Sequence, residues 1–488
     1  MRPHLHFLSD QLIAQILDEG RGILASLGVE IHNARVVELL SDHGARVDRN
    51  TNRVFFPARL IDTALASAPG SFTLFDVRGN EAVELSGMTV NFTPGSAAIN
   101  VLDLTTRRIR RPTSVDYVEY AKVVGNLGNI ASQSTAFIPA DVHERISDSY
   151  RLYLSLLFCE KPVVTGMFTI DAFTIMKDLQ LAVRGTKERL SAKPLTVFSC
   201  CPTSPLKWSD VTSQNLLDCA AYGIPVEYIS MPLSGFMAPT TLVGSLIQHT
   251  AETLSGLVIS QCANPGTPAL YGGSPAYFDV RYETTPMGAI ATMMIDCAYT
   301  EIGKSLGLPT QAYIGLSDAK DLDAQAGLES SMGATLAALA GINNVSGPGM
   351  LDFESCFSLE KLVVDNEICG MALRAIRGIE PKEDFPSEPL FKELLQEKHL
   401  LIADHTRKYF KEEDYFPGPV ISRANRMRWE EEGSLSLKQR ARAEVEAALA
   451  SWRPTSLSQE TQKELTTLMR AEARRFGMER LPDVGRPD

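Results

Sequence analysis

An α/β fold of the (β/α)8, or TIM, barrel type is predicted by two features of the chain: a repeating rhythm of short apolar runs separated by helix-length segments, and the punctuation at their joins. The runs are Ala97–Val101, Ile130–Gln133, Pro162–Thr165, Leu195–Cys200, Val226–Ser230, Ala269–Gly273, Thr310–Ile314 and Asn343–Gly347. Helix-length segments follow them, at about 114–126, 145–157, 171–184, 211–222, 241–260, 287–306, 325–340 and 358–377. Eight such units are the count of a closed barrel of parallel strands. In Tyr222-Gly223-Ile224-Pro225 and Leu306-Gly307-Leu308-Pro309 a glycine ends the helix and a proline forbids its return. An open doubly wound sheet is the competing architecture, but no glycine-rich dinucleotide loop follows the first strand of any unit.

At 488 residues the chain exceeds one ordinary domain, so appendages to a large domain are expected. Residues 1–90 read as a mainly helical cap. Ser9 or Asp10 caps a helix to about Leu27, and further helices span about 33–42 and 57–68. Residues 91–378 hold the barrel and residues 379–488 a helical extension. Pro381, Pro386 and Pro389 break the chain there, and Leu435 to Arg475 is charged amphipathic helix. That tail has too little apolar content for its own core, which leads us to expect a homo-oligomer, with a dimer favoured.

A formal net charge of −12 argues against a non-specific nucleic-acid binder. The eight cysteines contain no CxxC pair and are no disulfide scaffold in a chain this long, so free thiols in a reducing cytoplasm are expected. No basic segment followed by an apolar core marks a secretory leader. The most apolar stretches, such as Ala289–Tyr299 with its Asp296, are too short to cross a bilayer, so no membrane partner is expected.

Barrel chemistry is built at the C-terminal strand ends. Those ends carry the carboxylates Glu227, Asp279, Glu283, Asp318, Asp352 and Glu354, beside the rings of Phe198, Tyr228, Phe236, Tyr271, Tyr277, Phe278, Tyr313 and Phe353. Histidine is scarce: only His143 and His249 fall in this region, neither at a strand end. Rings with carboxylates and few bases suit a cationic ligand that does not titrate. The plainer alternative is that many of these rings pack between barrel and helices. No Gly-x-Ser-x-Gly elbow is present. Cys200 and Cys201 are adjacent, and His249 with Cys262 lacks a third ligand, so no metal site is expected. Gly272-Gly273-Ser274-Pro275 offers backbone N–H groups to an anion, and the glycines around Pro348 allow close approach of a bulky ligand. Asn343 and Asn344 are amides in a strand where apolar residues pack best.

Four segments together resemble the trimethylamine methyltransferase (MttB-like) superfamily: Asn91-Phe92-Thr93-Pro94-Gly95-Ser96, Gly272-Gly273-Ser274-Pro275, Gly315-Leu316-Ser317-Asp318-Ala319-Lys320 with Asp323 and Gln325-Ala326-Gly327, and Gly341 to Gly349. The resemblance runs from the N-terminal helices to about residue 375. It implies a TIM barrel that moves a methyl group from a methylated amine to the cobalt(I) of a cognate corrinoid protein, with the cobalamin held by that partner and none bound tightly here. The founding members carry pyrrolysine, whose place would fall near 325–335; this chain has standard residues throughout and is similar to the members that use quaternary amines, chiefly glycine betaine. That implies Asp318, Glu227 and Tyr271 as catalytic groups. Tyr277, Phe353 and Phe236 would join them around the ammonium, and Gly272, Gly273, Asn343 or Arg281 would hold the carboxylate. Trimethylamine, carnitine or another betaine as donor, a non-catalytic amine sensor, and a zinc-dependent barrel methyltransferase are the alternatives.

Overall fold

A computed structural model describes residues 2–485. The protein is α/β. Eight parallel strands alternate with eight helices: β1 (Asn91–Thr93), β2 (Gln133–Ser134), β3 (Val163–Gly166), β4 (Thr196–Cys200), β5 (Val226–Ser230), β6 (Ala269–Gly273), β7 (Gln311–Tyr313) and β8 (Asn344–Ser346). The helices are α1 (Ser114–Asn126), α2 (Ser147–Phe158), α3 (Ala172–Arg184), α4 (Asp210–Tyr222), α5 (Leu242–Ala263), α6 (Ile290–Ser305), α7 (Ala324–Ala340) and α8 (Leu359–Ile376). Each helix starts within a few residues of its expected place. Side chains close several N-termini: Ser209 accepts from Thr212 N–H, Thr241 from Gly244, Asp323 from Gln325 and Ala326, and Ser358 from Lys361. Gly223 and Gly341 end α4 and α7 in the left-handed conformation.

Strands β2 to β6 form one five-stranded parallel sheet, and β7, β8 and β1 form a three-stranded one. A parallel bridge between Tyr271 and Thr310 joins them at one seam. At the other, Ala131 N–H donates to Phe92 O at 2.8 Å. The first strand lies earlier than expected. Thr93 is followed by Pro94-Gly95, and Ala97 takes a φ of 63°, which no strand residue adopts. The expected Ala97–Val101 segment instead leads into Asn100–Leu102, which pairs with Cys356–Phe357 in a separate small sheet.

The N-terminal end of the strands is stoppered. The hairpin Ser71–Phe75/Glu81–Ser86 sends Leu74, Val83 and Leu85 against Val197 of β4 and Leu270 of β6, an apolar cluster separate from the main core. Helix Asp10–Ser26 packs on α5, and the strand Val29–Ile31 pairs in parallel with Lys207–Trp208. Helices Leu437–Ser451 and Gln459–Arg475 fold back onto α8, α1, α2 and α3, burying Ala441, Val445, Leu465 and Met469. Among the described residues no helix is long and apolar enough to cross a membrane.

Truncating the stopper tests its weight. Leu85→Ala removes a fully buried side chain and should lower unfolding stability by about 2–5 kcal/mol, read by denaturant titration.

Candidate active site in the barrel lumen

Successive strand residues face alternately inward and outward. On β5, Tyr228 donates to Ser260 of α5 at 2.9 Å and Ser230 to Glu252 of α5 at 2.6 Å, so both point to the helices. Glu227, the neighbour before Tyr228, faces the lumen. There Ser199 Oγ of β4 donates to its Oε1 at 2.7 Å and Asn344 Nδ2 of β8 to its Oε2 at 3.2 Å. Thr93 Oγ1 of β1 donates to Asn344 Oδ1 at 2.8 Å and so fixes which way that amide points. Four strands thus converge on one carboxylate. Burial pushes its pKa up to about 7, against the opposing pull of the Ser199 and Asn344 hydrogen bonds.

A second carboxylate, Glu354, comes from the loop after β8. Burial pushes it up to about 8, with the Ser96 N–H as its opposing hydrogen bond. Its Oε1 is buried and meets no donor. Tyr313 of β7 stands beside both acids: its hydroxyl lies 2.9 Å from Ser96 Oγ, and burial followed by the charges of Glu227 and Glu354 drives its pKa well above the ordinary value. Cys201 is pushed up to about 12 by burial and then by the same two acids. The lumen therefore gathers Ser96, Ser199, Cys201, Glu227, Tyr313, Asn344 and Glu354. Neither acid has an ion-pair partner among the described residues.

Of the residues expected to form the site, Glu227 alone occupies this cluster. Tyr271 points the other way: Leu270 takes the inward position against the stopper, so Tyr271 packs on α5 and α6, its hydroxyl 3.2 Å from Thr250 and its ring beside Tyr299. Gly272 and Gly273 are required by packing. A Cβ on the first would sit 2.5 Å from Gln311 Oε1, and on the second 2.5 Å from His249 Nε2. The Gly273 N–H already donates to Gln311 Oε1 at 3.1 Å. Asn343 lies at the stoppered end, donating to Ser86 O and Thr89 O at 2.9 Å while its Oδ1 accepts from Thr310 N–H and Lys304 Nζ.

Asp318 is buried beneath the loop that enters α6, accepting from Met287 N–H at 2.9 Å and Gly288 N–H at 2.8 Å. Burial raises it to about 6. Phe353 is at the mouth with Lys320 Nζ 3.9 Å from its ring centre, so that face already carries a cation. Arg281 is exposed and doubly bonded to Asp279. Tyr277 sits at the rim, its N–H donating to Thr292, and Phe236 is 64% exposed, stacked on Phe278 at 5.0 Å. Cys200 and Cys201 diverge: Cys200 meets Asn215 of α4, while Cys201 faces the lumen.

The signal for the missed residues was a lone polar side chain in an otherwise apolar strand. Ser199 in Phe198-Ser199-Cys200 has the same pattern as Glu227, whereas Asn344 was singled out together with Asn343 and the pair does not say which faces inward. Glu354 is among the strand-end carboxylates named from the sequence, with no such pattern to set it above the others.

Comparison with known proteins decides the family: residues 1–477 match the trimethylamine methyltransferase (MTTB) family. The chain belongs to it. This family member is a methyltransferase. It is 27% identical over 472 residues to trimethylamine methyltransferase MttB of Desulfitobacterium hafniense (strain DSM 10664 / DCB-2), covering 97% of this chain and 95% of that one. It is 29% identical over 479 residues to the glycine betaine methyltransferase of Desulfitobacterium hafniense (strain Y51), covering 98% and 99%. The crystal structure of the Methanosarcina barkeri monomethylamine methyltransferase (MtmB) superimposes with a TM-score of 0.52 at 11% identity, over 97% of this chain and 89% of that one, a likeness of fold.

The two lumenal acids make stability depend on pH. Below about pH 4.5 they are protonated folded or unfolded, and their contribution is fully present. As pH rises, the unfolded chain ionises first while the folded acids, at about 7 and 8, stay neutral, so stability is lost through that window. Thermal midpoints of the ligand-free protein should fall between pH 6 and pH 8.5, and Glu354→Gln should flatten that fall.

Proposed function

We propose that this methyltransferase transfers a methyl group from a quaternary amine to the cobalt(I) of a corrinoid carried by a cognate partner protein. The observation that carries this reading is a buried pair of carboxylates, Glu227 and Glu354, around Tyr313, in the lumen of a chain belonging to the MTTB family. Buried acids without a cation are costly, and a bound ammonium is what would settle them. The eight strands then act as one closed (β/α)8 barrel of residues 91–378, with residues 1–90 as cap and 379–488 as extension.

In the transfer the cobalt electron pair forms the new bond to the methyl carbon. The carbon–nitrogen pair stays on nitrogen, and a neutral tertiary amine departs. A quaternary nitrogen is already a cationic leaving group, so no proton need be delivered. What this chain supplies is placement: Glu227 and Glu354 hold the ammonium, and the walls exclude water. The C-terminal loops present exposed Phe168, Met231, Phe236, Met237 and Tyr282, and α7 presents Leu328, apolar contact for a partner that must reach the lumen. The side chains of Ile379, Phe385, Leu395, Leu401 and Ile402 are exposed on the extension and suit a homodimer contact. Eight free cysteines fit a reducing cytoplasm.

Glycine betaine and trimethylamine are the donors named among the relatives. Glycine betaine was the expected donor, but its carboxylate finds Arg281, Asn343 and the Gly273 N–H already engaged. Mixing the protein with reduced corrinoid protein and each of several quaternary amines, and following cob(I)alamin to methylcobalamin by absorbance, tests the reading. Glu227→Gln should slow transfer at least about tenfold through the loss of a buried charge beside the ammonium. Tyr271→Phe, which loses only a hydrogen bond to Thr250, should leave the rate within about threefold. Binding of every donor without conversion would support a sensor instead.

A further inference from the structure

Glu354 owes its position to an unusual turn. Asp352, Phe353 and Glu354 take φ values of 51°, 55° and 67° in succession. Side-chain-bearing residues avoid that region, and a run of three persists only where the surroundings hold it. Here Asp352 N–H donates to Ala319 O at 2.9 Å, Ser355 N–H returns to Asp352 O at 3.0 Å, and Ser355 Oγ donates to Asp352 Oδ2 at 3.0 Å. The turn brings the Glu354 carboxyl to the lumen with its Oε1 buried and lacking a donor. Asp296 of α6 is fully buried beside the Tyr299 hydroxyl, with no cation against it, and feels the charge of Glu354.

No cation answers these acids from the barrel itself. None of the eight strands contains lysine, arginine or histidine. The cations near the mouth are engaged: Lys320 lies over Phe353 and 3.7 Å from Asp352, Arg281 is held by Asp279, and Arg107 by Glu360 and Asp321. A zwitterion entering this lumen would bring its carboxylate beside Glu227 and Glu354, like charges in a place sparing of water. A ligand carrying positive charge alone meets no such opposition. An orphan donor on β7, Gln311 Nε2, is neutral.

We propose that Glu354 is the counter-ion of the substrate's ammonium, and that the lumen selects an N-methylated cation lacking a carboxylate, with a hydroxyl or alkyl arm, over a betaine. This rests on the reading of the lumen as the methyl-donor site. Binding then changes the charge state of the acids. The groups facing Glu354 are Tyr313, Cys201, Asp296 and the Ser96 N–H, none of them cationic, and Glu227 shares Tyr313 and Cys201 as neighbours. An arriving cation favours the ionised carboxylate, so protons are released on binding near neutral pH and affinity rises with pH.

Calorimetry on the full chain with tetramethylammonium, choline and glycine betaine tests this, repeated in buffers of different ionisation enthalpy. The expected result is choline and tetramethylammonium binding at least about tenfold more tightly than glycine betaine, with proton release at pH 7. Glu354→Gln should weaken both cations about tenfold, abolish most of the proton release, and leave the neutral choline isostere 3,3-dimethylbutanol unaffected. Glycine betaine binding as tightly as choline would overturn the selection. An unchanged choline affinity in folded Glu354→Gln would overturn the counter-ion role. If that variant does not fold, the wild-type ranking and its pH dependence decide by themselves. Failure of methyl transfer has a different signature: choline held tightly and selectively, with no methylcobalamin formed.

Discussion

Along eight short parallel strands a side chain has two destinations, the lumen or the layer of helices, and the neighbouring residue takes the other. Most of the site depends on this constraint. It sends Tyr228 and Ser230 to α5 and leaves Glu227 inside. It turns Asn344 onto that same carboxylate, with Thr93 donating to the Asn344 amide oxygen behind it. Because strands of two to five residues contribute only one to three inward positions each, a charged group placed there has no room to turn away. Its environment is decided by what the other strands bring, which here is hydroxyls, an amide and a phenol.

The alternation of strand and helix was readable because each element carries its own local signals: apolar runs for strands, caps and glycine–proline pairs for helices. Glu227 was readable because a charge inside Val226–Ser230 has nowhere else to go. Tyr271 was not, because its direction depends on Leu270 meeting a hairpin contributed by residues far earlier in the chain. Asn343 and Asn344 show the same difficulty at the scale of one residue. A single step along a strand exchanges lumen for exterior, and two adjacent identical residues give no clue to the phase. The first strand was misplaced because Ala97–Val101 has strand composition while the backbone at Ala97 is left-handed. Glu354 stood among the strand-end carboxylates, but what set it apart from the others was hidden for a related reason. Aspartate, phenylalanine and glutamate in a row do not advertise three left-handed residues; only the closed tertiary structure enforces them.

The family relationship and the geometry bear on different questions. Sequence likeness across nearly the whole chain speaks to the kind of reaction. The packing of Asp318 under the α6 loop, Asn343 at the stoppered end and Arg281 on Asp279 shows that conspicuous polar residues in family-like segments can hold loops together. Polar groups that bind a ligand are better recognised by what they lack, as with the bare oxygen of Glu354, than by their prominence in a motif.

The hairpin fills the N-terminal end of the strands, so the proposed closed barrel would be a blind tube. With one opening, donor and demethylated amine must pass through the same mouth that a corrinoid partner would cover. Under the proposed transfer, traffic would be sequential: the amine would enter before the partner docks, and the product would wait until the partner leaves. Turnover in such a vessel is timed by the lifetime of the protein–protein complex, so a partner that bound too tightly would slow the enzyme by trapping what it had already made.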